Sequence, residues 1–243
     1  MPTRLSSVVI DSADPPTLAR WWAAALGWEL SYESQDESCV EPRSGEPGIE
    51  LTFVPVNDPR VLKNRIHLDL RSSTLAEQDE LIQRLMAAGA TEADIGQGDV
   101  PWAVLADPEG NEFCILEPRP EYAATGPLAA IVVDAVDPAA MARFWTHAAG
   151  WQLREHEGMY DLVPPGGVGP LLEFLPTKEP HTVKNRIHLD VAPFLDDDQA
   201  TEVNRLLELG AAPTDVGQSA AGHITWVVLS DPEENEFCVL SAR

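Results

Sequence analysis

Lys63-Asn64-Arg65-Ile66-His67-Leu68-Asp69 recurs unchanged as Lys184-Asn185-Arg186-Ile187-His188-Leu189-Asp190, 121 residues later. Seven identical residues in order mark an internal duplication, and the flanks agree with it. Asp107-Pro108-Glu109-Gly110-Asn111-Glu112-Phe113-Cys114-Ile115-Leu116 returns as Asp231-Pro232-Glu233-Glu234-Asn235-Glu236-Phe237-Cys238-Val239-Leu240. Upstream, Arg20-Trp21-Trp22 answers to Arg143-Phe144-Trp145, and Leu26-Gly27-Trp28 to Ala149-Gly150-Trp151. The offset grows by three where the stretch from Gly217-Gln218 to Trp226 is longer than its counterpart, as a loop insertion would make it. Two homologous modules are expected, residues 1–118 and 128–243, joined by the linker 119–127 with Pro120, Gly126 and Pro127.

Within a module the periodicity changes in a fixed order. Leu5 to Ile10 reads as a strand, and Thr17 to Leu26 as a helix, with Leu18, Trp21, Trp22, Ala25 and Leu26 at helical spacing and Gly27 as its stop. Trp28–Glu33, Ser38–Glu41 and Ile49–Val56 then read as strands. The order repeats with a strand at Arg65–Leu70, a helix at Thr74–Ala88, and strands near 92–95, 102–105 and 111–117. The fold class is therefore α+β, with four βαβββ units in two modules and curved mixed sheets that carry their helices outside. Alternation along a strand sets Arg65, His67 and Asp69 on one face and Ile66, Leu68 and Leu70 on the other. Glu50 with Thr52, and Cys114 with Leu116, fall on polar or mixed faces in the same way, and module 2 repeats this with Glu173, His188 and Cys238. A polar-bottomed cup is expected in each module.

Composition narrows what such cups could serve. Forty Asp and Glu against sixteen Lys and Arg give a net charge of −24, shared equally by the two halves. That field repels a phosphate backbone, so nucleic acid is not an expected partner. No apolar run has the length of a membrane span, the N-terminal stretch has no signal-peptide core, and a cytoplasmic protein without membrane partners is expected. Three cysteines, Cys39, Cys114 and Cys238, are too few and too scattered for a disulfide framework.

The doubled βαβββ order, the late strand with His, the Ile-Glu-Leu-Thr strand and the terminal Asp-Pro-Glu-Gly-Asn turn resemble the vicinal oxygen chelate superfamily. Within it the chain is similar to glyoxalase-like proteins related to glyoxalase I, bleomycin-resistance proteins and extradiol dioxygenases. The resemblance implies metal-ligand positions on four strands, which fall on Ser7, Glu50, His67 and Cys114 in module 1 and on Ala130, Glu173, His188 and Cys238 in module 2. Ser7 and Ala130 are not metal ligands, and Cys stands where the family has a terminal Glu. Glu50, His67, Glu173 and His188 remain as candidate ligands, with Cys114 and Cys238 beside them. The cofactor is then none or one divalent metal, of which Zn²⁺ suits a Glu, His and Cys set best.

Each residue also has a structural reading. His67 and His188, with Asp69, Asp190, Arg65 and Arg186, either contact a ligand or form a hydrogen-bonded cup wall. Cys114 and Cys238 are either small buried hydrophobes or thiolates. Glu50 and Glu173 contact a ligand, hold a metal, or pair with Arg65 or Arg186. Trp102 and Trp226 line a pocket or belong to the core. The main expectation is a protein, monomer or homodimer, that binds a small polar or cationic molecule in one or both cups without the usual complete metal triad. The alternative is a lyase or isomerase with Glu50 or Glu173 as base and His67 or His188, with or without a divalent metal, as electrophile. A third reading makes the cups relics. Pairing of half-modules within a module or exchanged between modules is left open. If exchanged, Glu50 meets His188 and Cys238.

Overall fold

The computed structural model describes residues 3–56, 58, 60–156, 158–217 and 224–243; the lengthened part of the loop before Trp226, with Gln218 and His223, lies outside them. The first quarter of the chain forms β1 (Thr3–Ser12), α1 (Pro15–Leu26), β2 (Glu29–Glu33), β3 (Ser38–Glu41) and β4 (Glu50–Pro55). The second forms β5 (Ile66–Leu70), α2 (Leu75–Ala87), β6 (Thr91–Glu92), β7 (Ala103–Ala106) and β8 (Glu112–Ile115). The third forms β9 (Leu128–Ala135), α3 (Pro138–Ala149), β10 (Gln152–His156), β11 (Met159–Val163) and β12 (Leu171–Pro176). The last forms β13 (Ile187–Pro193), α4 (Gln199–Glu208), β14 (Ala212–Pro213), β15 (Val227–Ser230) and β16 (Glu236–Val239). These are the four predicted βαβββ units. The strand expected over 92–95 shortens to β6 because Asp94 turns the chain, its carboxylate accepting the Gly96 N–H at 2.9 Å.

Local chemistry sets the helix ends. Asp14 and Asp137 cap α1 and α3 through the amides of Thr17 and Ala140, with prolines in the first turn where no N–H is missed. Both helices stop at a glycine in the left-handed region, Gly27 and Gly150, each at φ 71°. The acidic run 196–198 acts as its position before a helix suggests, since Asp198 caps α4 through the Thr201 amide.

The pairing of half-modules is exchanged. Sheet A has the order β14-β15-β16-β13-β1-β4-β3-β2 and sheet B the order β10-β11-β12-β9-β5-β8-β7-β6. Each eight-stranded sheet joins one quarter from each repeat, through antiparallel β1–β13 in sheet A and β5–β9 in sheet B. The sheets curve without closing, and their convex faces share one core. Val8, Ile10, Leu51 and Phe53 of sheet A and Leu68, Phe113, Ile131 and Phe174 of sheet B belong to it, together with the apolar stripes of α1 and α3.

The Asp-Pro-Glu turns fasten the two sheets together. Trp22 on α1 donates its indole N–H to Asp107 at 3.1 Å and meets Phe113 edge-on at 5.3 Å; Trp145 repeats this on Asp231 and Phe237. Glu109 accepts the backbone amides of Ala13 and Asp14 ahead of α1, and Glu233 those of Val136 and Asp137 ahead of α3. A sequence motif that reads only as a turn thus supplies a buried aspartate acceptor and a half-buried glutamate acceptor to the helix of the opposite sheet.

Candidate functional site

Strand alternation places the predicted polar residues on the concave faces, and the exchange decides their company. In sheet A the register aligns Glu50, Ser7, Asp190 and Cys238 on one rung, and Thr52, Val9 and His188 on the next. In sheet B the corresponding rungs carry Leu171, Ala130, Asp69 and Cys114, then Glu173, Val132 and His67. Cup A therefore brings Glu50 to His188, Asp190 and Cys238, while cup B brings Glu173 to His67, Asp69 and Cys114.

The rungs correct one expectation. Glu50 and Glu173 are not counterparts: Glu50 lies level with the aspartate and cysteine, Glu173 level with the histidine. Leu171 stands in place of Glu50, and Thr52 in place of Glu173. A shift of two residues along a strand keeps the side chain on the same face, which is how two unrelated glutamates mimic a repeat.

At the floor of each cup His, Asp and Cys converge. One ligand atom from each of His67, Asp69 and Cys114, and likewise of His188, Asp190 and Cys238, lies within 4.8 Å of the others. Histidine Nε2 and aspartate Oδ1 are 3.5 Å apart in cup B and 3.6 Å in cup A. Both Oδ1 atoms, and Nδ1 of His67, are buried without a hydrogen-bond partner among the described residues. Burial pushes Asp190 up to about 7 and raises Asp69 as well. Burial, then the aspartate next to each, pushes both thiols up, and burial drives His188 down to about 4. With no cation present the floor of cup A is a neutral imidazole, a protonated thiol and a carboxyl group that titrates near neutrality; neither thiol is a ready nucleophile.

These donors fit a divalent metal. Zn²⁺ bonds of about 2.1 Å at a tetrahedral angle hold two ligand atoms about 3.4 Å apart, close to the observed nitrogen–oxygen separations. The unpartnered Oδ1 atoms are what a shared cation would satisfy. Glu50 and Glu173 lie outside these clusters; Glu50 accepts the Thr52 hydroxyl at 2.7 Å, and Glu173 that of Tyr122 at 2.8 Å.

Tyr122 makes the cups unequal. It comes from one 3-10 turn, Pro120–Tyr122, between the repeats, and its ring is 4% exposed inside cup B among Cys114, Leu116, Ala130 and Val132. Its hydroxyl meets Glu173 beside Asp161 and Asp69. Burial, then these two carboxylates, pushes Glu173 up to about 8. Arg119 covers the rim with its guanidinium 5.4 Å from the centre of Trp102. In cup A the cation near Asp190 is Arg243, close enough to favour its charge. There Trp226 and Val228 pack beside Cys238, and Glu37 accepts the Cys39 thiol at 3.4 Å. Burial, then Glu50 and Glu37, pushes that thiol up to about 12.

Arg65 and Arg186 reach into neither cup. Strand pairing begins one residue later, so alternation does not govern them. Arg65 spans to sheet A, where Asn235 and Glu233 accept its guanidinium, and Arg186 lies 3.6 Å from Glu109 of sheet B. Tyr122, Glu37 and Asp161 are the cup residues that sequence reasoning missed. Tyr122 lies between the repeats and has no partner to draw attention to it, Asp161 is brought beside Glu173 by the pairing of β11 with β12, and Glu37 comes from the turn before β3.

A family model described as a glyoxalase-like domain matches residues 7–116 and again 130–240. Glyoxalase I from Zea mays superposes with a TM-score of 0.66 at 14% identity, covering 98% of this chain and 92% of that one. A putative dioxygenase from Bacillus subtilis gives a TM-score of 0.64 at 16% identity, covering 99% and 85%. At such identities these two likenesses concern the fold. No curated protein matches the chain in sequence. Among the described residues no helix is long and apolar enough to cross a membrane.

Proposed function

The chain belongs to the glyoxalase-like domain family, twice over, and from that premise we propose that it binds a small polar or cationic organic molecule in cup A. The carrying observation is the asymmetry of the cups: Tyr122 enters cup B and bonds Glu173, whereas in cup A Glu50 bonds, among the described residues, the small Thr52 side chain. Glu50 and Glu37 disfavour the charge of Asp190 and Arg243 favours it, so three carboxyl groups face one guanidinium there, and an ammonium or guanidinium group would relieve the remaining repulsion. The protein acts in the cytoplasm, as a monomer or homodimer, with Trp226 lining the apolar side of the site.

A thermal-shift screen of organic cations, neutral molecules and anions tests this reading. Cations should give the largest shifts, and Glu50→Gln should weaken the best binder about tenfold. Glu173→Gln, in cup B, should leave it unchanged. A neutral or anionic best binder, or equal loss in both variants, would sink the charge preference.

The His-Asp-Cys clusters favour a second reading, a metal-assisted lyase or isomerase. His188, Asp190 and Cys238 would hold the ion in cup A, and His67, Asp69 and Cys114 in cup B, with Zn²⁺ the most compatible metal. A bound divalent ion supplies Lewis acidity toward a substrate oxygen. Glu50, on the Asp190 rung with its carboxylate held by Thr52, would take a proton from carbon in this reading. Elemental analysis of protein purified without chelator or nickel resin should find close to one zinc per intact cluster, reduced by one in Cys238→Ser. Less than about a tenth of an equivalent of any transition metal, with no saturable uptake on titration, would remove this reading.

A further inference from the structure

Strand register draws one row of carboxylates from the open edge of sheet A into cup A. On β1, Ser7 is level with both Glu50 and Asp190, and Asp190 is level with Cys238. On the other side of Glu50, β3 pairs Cys39 with Thr52 and Val40 with Leu51, so the next step brings Glu41 to Glu50, and Glu29 on β2 pairs directly with Glu41. Leu30, Val40 and Leu51 pack in the shared core, and alternation turns Glu29, Glu41 and Glu50 to the concave face. The row therefore reads Glu29, Glu41, Glu50, Ser7, Asp190. In sheet B the same steps give Gln152, Val163, Leu171, Ala130 and Asp69, with a single carboxylate at the inner end.

Such a row is costly as it stands. Like charges directly opposite on paired strands repel, and neither Glu29 nor Glu41 has an ion pair among the described residues. Charge on an edge strand guards it against pairing with another chain, which accounts for Glu29 on β2. It does not account for Glu41 and Glu50, which lie on interior strands. At the inner end Asp190 is 8% exposed, and its Oδ1 has no hydrogen-bond partner among the described residues. Two cations stand on this face among the described residues: Arg243 near Asp190, and Arg4, which is level with Ala192 and lies 5.0 Å from the centre of the Phe194 ring. Even with Arg43 of the turn after β3 counted, three guanidinium groups meet the five carboxyl groups of Glu29, Glu37, Glu41, Glu50 and Asp190.

We propose that the ligand of cup A is a linear polyamine that lies along this row, with one ammonium group between Glu50 and Asp190 and the next between Glu41 and Glu29. This rests on cup A being a cation site and names the class of cation. Adjacent strands lie about 4.8 Å apart, so successive carboxylates recur at close to the separation that a three-carbon spacer gives two ammonium nitrogens. A monoamine meets only the inner carboxylates, whereas a polyamine meets the whole row, and its second contact forms at the high effective concentration that the spacer sets. Cup B, with Val163 and Leu171 on the matching strands, has no such track.

Norspermidine, with its ammonium groups on three-carbon spacers, is the probe, followed by isothermal titration at low salt beside propylamine and Mg²⁺. It should bind saturably and at least about tenfold tighter than either. Glu41→Gln, at an exposed position, should weaken norspermidine about tenfold, leave propylamine unchanged and not lower the melting temperature. Glu50→Gln should weaken both amines. Asp79→Asn combined with Glu80→Gln removes charge from the exposed face of α2 and should change neither amine. The polyamine proposal is overturned if norspermidine binds no tighter than propylamine, if Glu41→Gln binds it as the parent does, or if the α2 variant loses as much as Glu41→Gln, which would mean that binding follows overall charge. The first two results leave cup A a site for a single cation; Glu50→Gln without effect on either amine would remove that reading as well.

Discussion

Glu173→Gln is expected to make the protein more stable than its parent at about pH 9, and to bring little change at about pH 5. Burial in cup B, beside Asp161 and Asp69, lifts the Glu173 carboxyl from 4.5 to about 8. A raised folded-state value means that the folded chain holds a proton which the unfolded chain has released. Stability from this group is therefore complete below 4.5 and is lost as pH rises to about 8. Glutamine keeps the oxygen that accepts the Tyr122 hydroxyl and cannot ionise. A tenfold change in proton affinity is worth about 1.4 kcal/mol, and with part of the side chain exposed the gain at alkaline pH should be on the order of 3 kcal/mol. Asp190 works in the same direction up to about 7, while His188, pushed down to about 4, works against it between that value and 6.5. Asp69, Asp11 and Asp107 are raised by burial too, so it is the difference between parent and variant that isolates Glu173. Urea denaturation across this range tests the claim: equal midpoints for parent and variant at about pH 9 would show that the carboxylate is ionised in the fold at no cost.

The repeat and the four βαβββ units were legible because both rest on local patterns, the identical heptapeptide and the alternation and helical spacing around it. The cup faces of His67, Asp69, Glu50 and Cys114 were legible for the same reason. Partnership between strands was not. β1 can pair with β5 or with β13, and Lys63-Asn64-Arg65 and Lys184-Asn185-Arg186 offer the same residues to either choice. Glu50 and Glu173 show a second limit, for a period of two cannot distinguish adjacent same-face rungs, although Phe53-Val54-Pro55 against Phe174-Leu175-Pro176 carries the true alignment. Arg65 shows a third: one residue beyond the start of pairing, it escapes the alternation and becomes a strut between the sheets. Tyr122 lies in the linker, where proline and glycine suggest only a connection, and its role follows from the depth of the cup it enters.

Division of the chain at the linker is expected to yield no stable monomer. A fragment of residues 1–126 keeps β1 to β8 but takes β13 from β1 and β9 from β5, exposing one central strand edge in each half. Those edges run from Thr3↔Pro193 to Ile10↔Ile187 in sheet A and from Ile66↔Val133 to Leu70↔Leu128 in sheet B. Unpaired backbone groups over such lengths, beside the apolar convex faces of the shared core, invite another chain. Because β5 carries the same Ile-His-Leu-Asp as β13, a second copy of the fragment can supply the missing strand. Ile66 would stand where Ile187 pairs with Ile10, and Lys63 would reach Asp11 as Lys184 does. Light scattering should therefore find the fragment as a homodimer or an aggregate, and mixing with residues 127–243 during refolding should give a one-to-one complex. The buried surface would exceed the roughly 1,000 Å² that a specific interface needs, so the dimer should persist at micromolar concentration. A fragment that runs as a monomer and unfolds cooperatively would instead mean that the two repeats are independent units and that the exchanged sheets are not needed to hold either half.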